Sequence, residues 1–174
     1  MLENYGKFLN ELDRQLGGLF ESQKAHIHCK PGCSGCCEVG DYPMSRLEME
    51  YLMSAFVRLD AATQAQVRAN IDATRGATEY QCPFLIGGLC SVYEHRGIVC
   101  RTHGLAYLCE EGVKLPECVR EGLNYSEVFD VETSIFSTEP IKTSLRTDDI
   151  LRSPLAKHFQ LEPGDIRPLI AWFS

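Results

Sequence analysis

The sequence predicts a mainly α fold, a small single-domain helical protein over residues 1–174 with cysteine-rich loops. Three observations predict it. Leu2, Tyr5, Phe8, Leu9, Leu12, Leu16, Leu19 and Phe20 recur at steps of three and four, the spacing of one helical face. Ser45 and Glu48 have the spacing of a capping box ahead of a second apolar stripe. No repeat, low-complexity linker or domain boundary interrupts the chain.

In chain order, the first helix spans about 2–24, with Gly17-Gly18 as the point where it weakens and bends. Periodicity then stops. Residues 26–43 are rich in Gly, Pro and Cys and read as a loop whose order comes from something other than apolar burial. The second helix starts at Ser45, just after Pro43, and Leu47, Tyr51, Leu52, Ala55, Phe56 and Leu59 trace its apolar face. Asp60 caps a third, over about 61–75, that ends at Gly76. Its face (Ala62, Val67, Ile71) is thin, so it is expected at the periphery.

Gly87-Gly88 between apolar flanks predicts a tight turn, and Ser91 to Arg96 one or two helical turns. Beyond residue 126, Leu145, Ile150, Leu151, Leu155 and Phe159 predict short helices broken at Pro154 and Pro163. The apolar tail Leu169, Ile170, Trp172, Phe173 is expected to dock on the protein's own core rather than on a partner.

Composition bounds the function. Apolar residues make up 44% and charged residues 24%, ordinary for a globular chain. No stretch approaches the ~18 apolar residues of a membrane span, and Met1-Leu2-Glu3-Asn4-Tyr5 lacks the start of a secretory signal. A cytoplasmic location without membrane partners is the expectation. The net charge is −7 and no basic stripe appears, so nucleic acid is not an expected partner.

Nine cysteines narrow the choice. The count is odd, and a reducing compartment disfavours disulfides, so metal or redox chemistry is expected. The first cluster is Cys29, Cys33, Cys36 and Cys37; the second is Cys82, Cys90 and Cys100. Ligands close in sequence cost little entropy to gather around an ion, and a distant segment closes the site. Thiolates select zinc, Cu(I) or iron–sulfur clusters. Neighbouring side chains diverge by roughly 100° on a helix, so Cys36 and Cys37 are expected to serve different centres, or one to pack as an apolar residue. Arg96 and Arg101 flank the last cysteines and are candidate donors to sulfur. His26 and His28 are expected to be solvated. The spacing matches neither paired zinc knuckles nor a bacterial ferredoxin.

The first cluster, with Cys82-Pro83-Phe84-Leu85 and the run from Cys90 through Val92-Tyr93-Glu94 and Arg96 to Cys100-Arg101, resembles the YkgJ-type cysteine-cluster (CxxCxxCC) proteins. The resemblance covers about residues 29–104, continuing faintly to Cys118. It implies a zinc- or iron-chelating domain, with Cys29, Cys33, Cys36, Cys37, Cys82, Cys90 and Cys100 as metal ligands. Two departures stand out: Gly97 where family members often have Pro, and Thr102-His103-Gly104 where they often have an aromatic residue and Pro. Eight ligands would fill two four-coordinate sites; of His103, Cys109 and Cys118, Cys118 is taken as the eighth. The metal-binding core then spans about 26–118, with the N-terminal helix and C-terminal tail packed on it.

Four functions compete. The first is a structural or accessory metal protein; the second is an iron–sulfur redox protein, placed slightly ahead because paired zinc knuckles are missing. A methyltransfer-related enzyme is the third, on the likeness of such clusters to those of flagellin lysine-methylating enzymes, although no Gly-rich cofactor loop or nucleophile elbow supports it. A zinc-stapled interaction module is the fourth.

Overall fold

The computed structural model describes residues 1–30 and 32–173; Pro31, inside the first cysteine loop, lies outside the described residues. The amphipathic stripe forms helix α1 (Leu2–Ser22), continuous through Gly17 and Gly18, with Tyr5, Phe8, Leu9, Leu12 and Leu16 buried. A short helical turn, α2 (Gly35–Glu38), follows, then strand β1 (Pro43–Ser45). The capping box is complete at the start of α3 (Arg46–Phe56): the Ser45 hydroxyl accepts from the Glu48 N–H, and the Glu48 carboxylate accepts from the Ser45 N–H. Helix α4 (Ala61–Ala73) starts at Asp60, whose side chain accepts from the Thr63 N–H; Val67 and Ile71 are its buried residues.

Helix α3 separates two apolar clusters. Leu47 joins α1, Ile98, Leu105 and the residues Ile141 to Ala156. Met49, Leu52, Ala55 and Phe56 join α4, Tyr42, Met44, Phe84 and the C-terminal Leu169. A third, smaller cluster holds Ala106, Val119, Tyr125 and Phe129.

The mainly α expectation is overturned. The chain is 47% helical and 13% strand, a mixed α/β fold with several small antiparallel sheets. β2 (Leu85–Ile86) pairs β3 (Leu89–Cys90); β4 (Tyr107–Cys109) pairs β5 (Gly112–Lys114); β6 (Phe129–Asp130) pairs β7 (Ile135–Phe136). After helices α6 (Thr147–Arg152) and α7 (Pro154–His158), β8 (Ile166–Pro168) returns to pair with β1. Strands of two or three residues are too short to show alternation, which is why periodicity missed them. The β2–β3 turn is the one the sequence does announce: Gly87 and Gly88 both take left-handed φ, 57° and 79°, as a two-residue hairpin demands.

The C-terminal tail (Leu169–Phe173) docks as expected. Leu169 is 1% exposed, and the Trp172 indole N–H donates to the Met44 carbonyl at 3.1 Å. Among the described residues no helix is long and apolar enough to cross a membrane.

Candidate metal centre

The two cysteine segments meet through their backbones. Gly40 and Tyr80 exchange both hydrogen bonds, 3.2 and 3.1 Å, and the Cys82 N–H donates to the Cys37 carbonyl at 2.8 Å. Cys90 sits on β3, opposite Leu85. Cys100 lies on the short helix α5 (Ile98–Thr102), whose first N–H donates to the buried Glu48 carboxylate at 2.8 Å. Glu48 thus binds two helix starts at once, its own and that of the helix bearing Cys100. Arg101, 6% exposed, pairs with Asp13 of α1 and donates to the carbonyls of Glu94 and Arg96. It acts as a clamp between α1 and the 94–101 loop, and the sulfur contact for which it was a candidate does not form. Arg96 lies over the Tyr93 ring, and its charge favours the thiolates of Cys36 and Cys90.

All nine cysteines are free thiols. Cys82, Cys90 and Cys100 form one neighbourhood with Cys36. Burial pushes Cys82 up to about 12, helped by Cys90 and Cys36. Burial likewise raises Cys100, with Cys82, Cys90 and Cys36 adding to it. Cys29, Cys33 and Cys118 form the other neighbourhood. Here burial raises Cys29 and Cys118, while Asn124 opposes both shifts, through its side chain at Cys29 and its backbone N–H at Cys118.

At Cys36 and Cys37 the divergence expected of neighbouring side chains is not found. Their sulfurs are 3.9 Å apart, in mutual hydrogen-bond contact, rather than divergent. That is about the sulfur–sulfur edge of a tetrahedral zinc site with bonds of ~2.3 Å. Both residues lie within the helical turn Gly35–Glu38, so the angle between neighbouring Cβ directions does not by itself fix where the sulfurs stand; the side-chain torsions do. Cys36 neighbours both groups, influencing Cys29 on one side and Cys82, Cys90 and Cys100 on the other.

Among the described residues, no three His, Cys, Asp or Glu side chains converge at metal-ligand spacing. The donor chemistry nonetheless fits a soft or borderline cation. Crowded thiols hold their protons against one another, and a cation reverses that preference by binding the deprotonated form.

The model of the CxxCxxCC family, described as a "Putative zinc- or iron-chelating domain", matches residues 28–132. The chain belongs to this family. Metal binding, with zinc or iron as the cofactor, follows from membership. No curated protein and no solved structure matches the chain.

The CxxCxxCC domain reaches past the last sequence motif to take in Cys118 and Asn124. Asn124 is fully buried; its amide donates to Cys29 Sγ and to the Gly104 carbonyl, both at 3.1 Å, and accepts from the His28 N–H at 2.8 Å. No local pattern marks this residue in the sequence. The other candidates go elsewhere. Cys109 donates to the Gly112 carbonyl on its own hairpin, and His26 and His28 face Glu127 at 3.1 and 3.4 Å. Burial holds the imidazole of His103 below its ordinary value, with Glu117 opposing.

A Cβ at Gly97 would stand 2.9 Å from the Met44 methyl and 3.1 Å from the Glu48 carboxylate, a close approach that a larger residue meets by shifting the Met44 side chain. Gly104 has φ +96° and lies where a Cβ would be 3.5 Å from Cys29 Sγ. Between the sulfur groups opens a cleft of about 820 Å³, lined by Tyr42, His103 and the thiols Cys36, Cys100 and Cys118 among others. That volume lies within the ~300–1,000 Å³ range of small-molecule sites.

Proposed function

We propose that this CxxCxxCC domain holds two adjoining thiolate metal centres and serves as an iron-binding, redox or accessory protein. Cys82, Cys90 and Cys100 supply one centre, and Cys29, Cys33 and Cys118 the other. The adjacent pair Cys36 and Cys37 stands at the junction and completes both. The observation that carries this reading is the Cys82 N–H to Cys37 carbonyl bond, which pins the remote segments together at the pair. Iron is preferred to zinc because the ligand spacing lacks two Cys-x2-Cys knuckles. In either case the centre orders residues 28–40, of which none described is fully buried.

Elemental analysis and a visible spectrum of protein purified without oxygen test the proposal. Iron with matching sulfide and a brown colour is the expected result. Colourless protein with stoichiometric zinc would reject the iron reading and favour a structural zinc module. Protein that takes up neither metal on its thiolates would end the proposal. Cys36→Ser and Cys37→Ser, made separately, are each expected to cost part of the metal rather than all of it.

A further inference from the structure

His95 ends a single helical turn (Tyr93–His95) on the stretch that joins Cys90 to Cys100. Its ring stacks on Tyr51 of α3, with centroids 4.6 Å apart and planes 26° from parallel. Its Nε2 stands 3.2 Å from the guanidinium of Arg58, just past the end of α3. A guanidinium has only donors and keeps its charge, so the imidazole nitrogen must accept. Nε2 therefore carries the lone pair, and the ring proton sits on Nδ1. The contact exists only while His95 is neutral. An imidazolium offers no lone pair and would set two positive charges side by side.

Both partners belong to fixed pieces of the fold. The Gln64 amide donates to the Val57 and Leu59 carbonyls at 3.4 and 2.8 Å, so Arg58 is part of a braced corner between α3 and α4. On the other side, Arg101 brackets the His95 turn from α5, donating to the Glu94 carbonyl at 2.8 Å and the Arg96 carbonyl at 3.1 Å. The Arg101 charge is answered by Asp13 of α1, and Arg96 turns aside over the Tyr93 ring. Glu94, from its own turn, favours a charged His95 ring. Burial, Arg58 and Arg101 outweigh it and hold His95 below its ordinary 6.5.

We propose that His95 and Arg58 form an acid-released latch on the turn between Cys90 and Cys100. With a neutral imidazole, the α3–α4 corner holds this turn. Protonation breaks that hold and leaves the turn to the Tyr51 stack and the Arg101 clamp. The latch uses no cysteine side chain, so its failure and the failure of the thiolate centres proposed above are separate outcomes. Below its ordinary value, folded His95 binds a proton less readily than the unfolded chain does. The stability from the latch is therefore fully present above pH 6.5 and is lost as pH falls through the lowered value.

The test is an NMR titration of the full chain between about pH 5 and pH 8, the span in which histidine changes charge. Amide hydrogen exchange is read at both ends, in wild type, Arg58→Ala and His95→Gln. Arg58 is exposed and His95 half-buried, so neither variant removes a core side chain. His95→Gln identifies the resonance and keeps an acceptor that cannot be charged. The wild-type His95 midpoint is expected below 6.5 and is expected to rise in Arg58→Ala. The His95 and Arg96 amides, which donate to the Val92 and Tyr93 carbonyls, report on the turn. On acidification their protection is expected to fall about 3-fold further in wild type than in either variant, the scale of one net hydrogen bond. A His95 midpoint unmoved by Arg58→Ala would overturn the latch. So would an acid loss of protection that is just as large in Arg58→Ala.

Discussion

Asn124 and Cys29, 95 positions apart, are joined by one hydrogen bond of 3.1 Å from the amide to the sulfur. The same amide closes the His28 and Gly104 backbones around the first cysteine, so a neutral, fully buried side chain sets where this sulfur stands. Asn124→Ala strips all three partners. It is expected to cost about 1–3 kcal/mol of folding stability and about 10- to 100-fold in metal affinity. Urea unfolding and chelator competition read the two effects. Asn124→Asp keeps the acceptor for His28 but turns an oxygen toward the sulfur, so its metal loss persists while more of the stability returns.

Glycines give a contrast within one chain. At Gly104 the left-handed φ and a 2.9 Å approach to the Asn124 amide both oppose a Cβ. Gly104→Ala is expected to destabilise by about 1–3 kcal/mol, the cost of holding a strained residue. At Gly17 and Gly18, inside α1, a Cβ would meet nothing within 4 Å. Each of these changed to Ala is expected to stabilise by about 0.5–1 kcal/mol. Thermal denaturation of the three variants decides the matter, and a destabilised Gly17→Ala would count against α1 as described.

Glu48 accepts from the Ser45 and Ile98 N–H groups while fully buried. Glu48→Ala leaves both donors unpartnered and is expected to cost about 2–4 kcal/mol, as two buried unsatisfied groups would. Burial raises its pKa above 4.5, more than those two bonds lower it. The folded state therefore holds the proton more tightly than the unfolded one. The stability from this group is present below pH 4.5 and is lost as pH rises through the raised value. Urea midpoints of wild type relative to Glu48→Gln should fall across that window; a rise would contradict the sign.

Chelation should act locally. Of the described residues in 28–40, none is fully buried, whereas α1 and α3 each bury at least five. Stripping metal is expected to abolish hydrogen-exchange protection at 32–40 and to leave the α1 and α3 amides protected. Equal loss in α1 would mean that the centre supports the whole fold.

The helices were legible because their signals are local. The α1 stripe, the Ser45–Glu48 box and the Asp60 cap each lie within a few residues of the element they announce. The strands were not. β1 and β8 pair residues 43–45 with 166–168, and three residues carry no alternation that separates strand from loop. Cysteine spacing marked the candidate ligands, whereas Asn124 had no motif, and the capping box announced the bond of Glu48 to Ser45 but not its bond to Ile98, fifty residues on.

Sequence by itself determined the helix starts, the Gly87-Gly88 turn and a thiol-rich pattern specific enough to place the chain in its family, because all of these are set by neighbours along the backbone. Tertiary structure alone decided that the Cys36 and Cys37 sulfurs lie side by side, that the Cys109 thiol turns to its own hairpin, and that Arg101 pairs with α1. Those outcomes depend on which buried donors and acceptors meet across the fold. That competition is settled by packing, and no stretch of a few residues contains it.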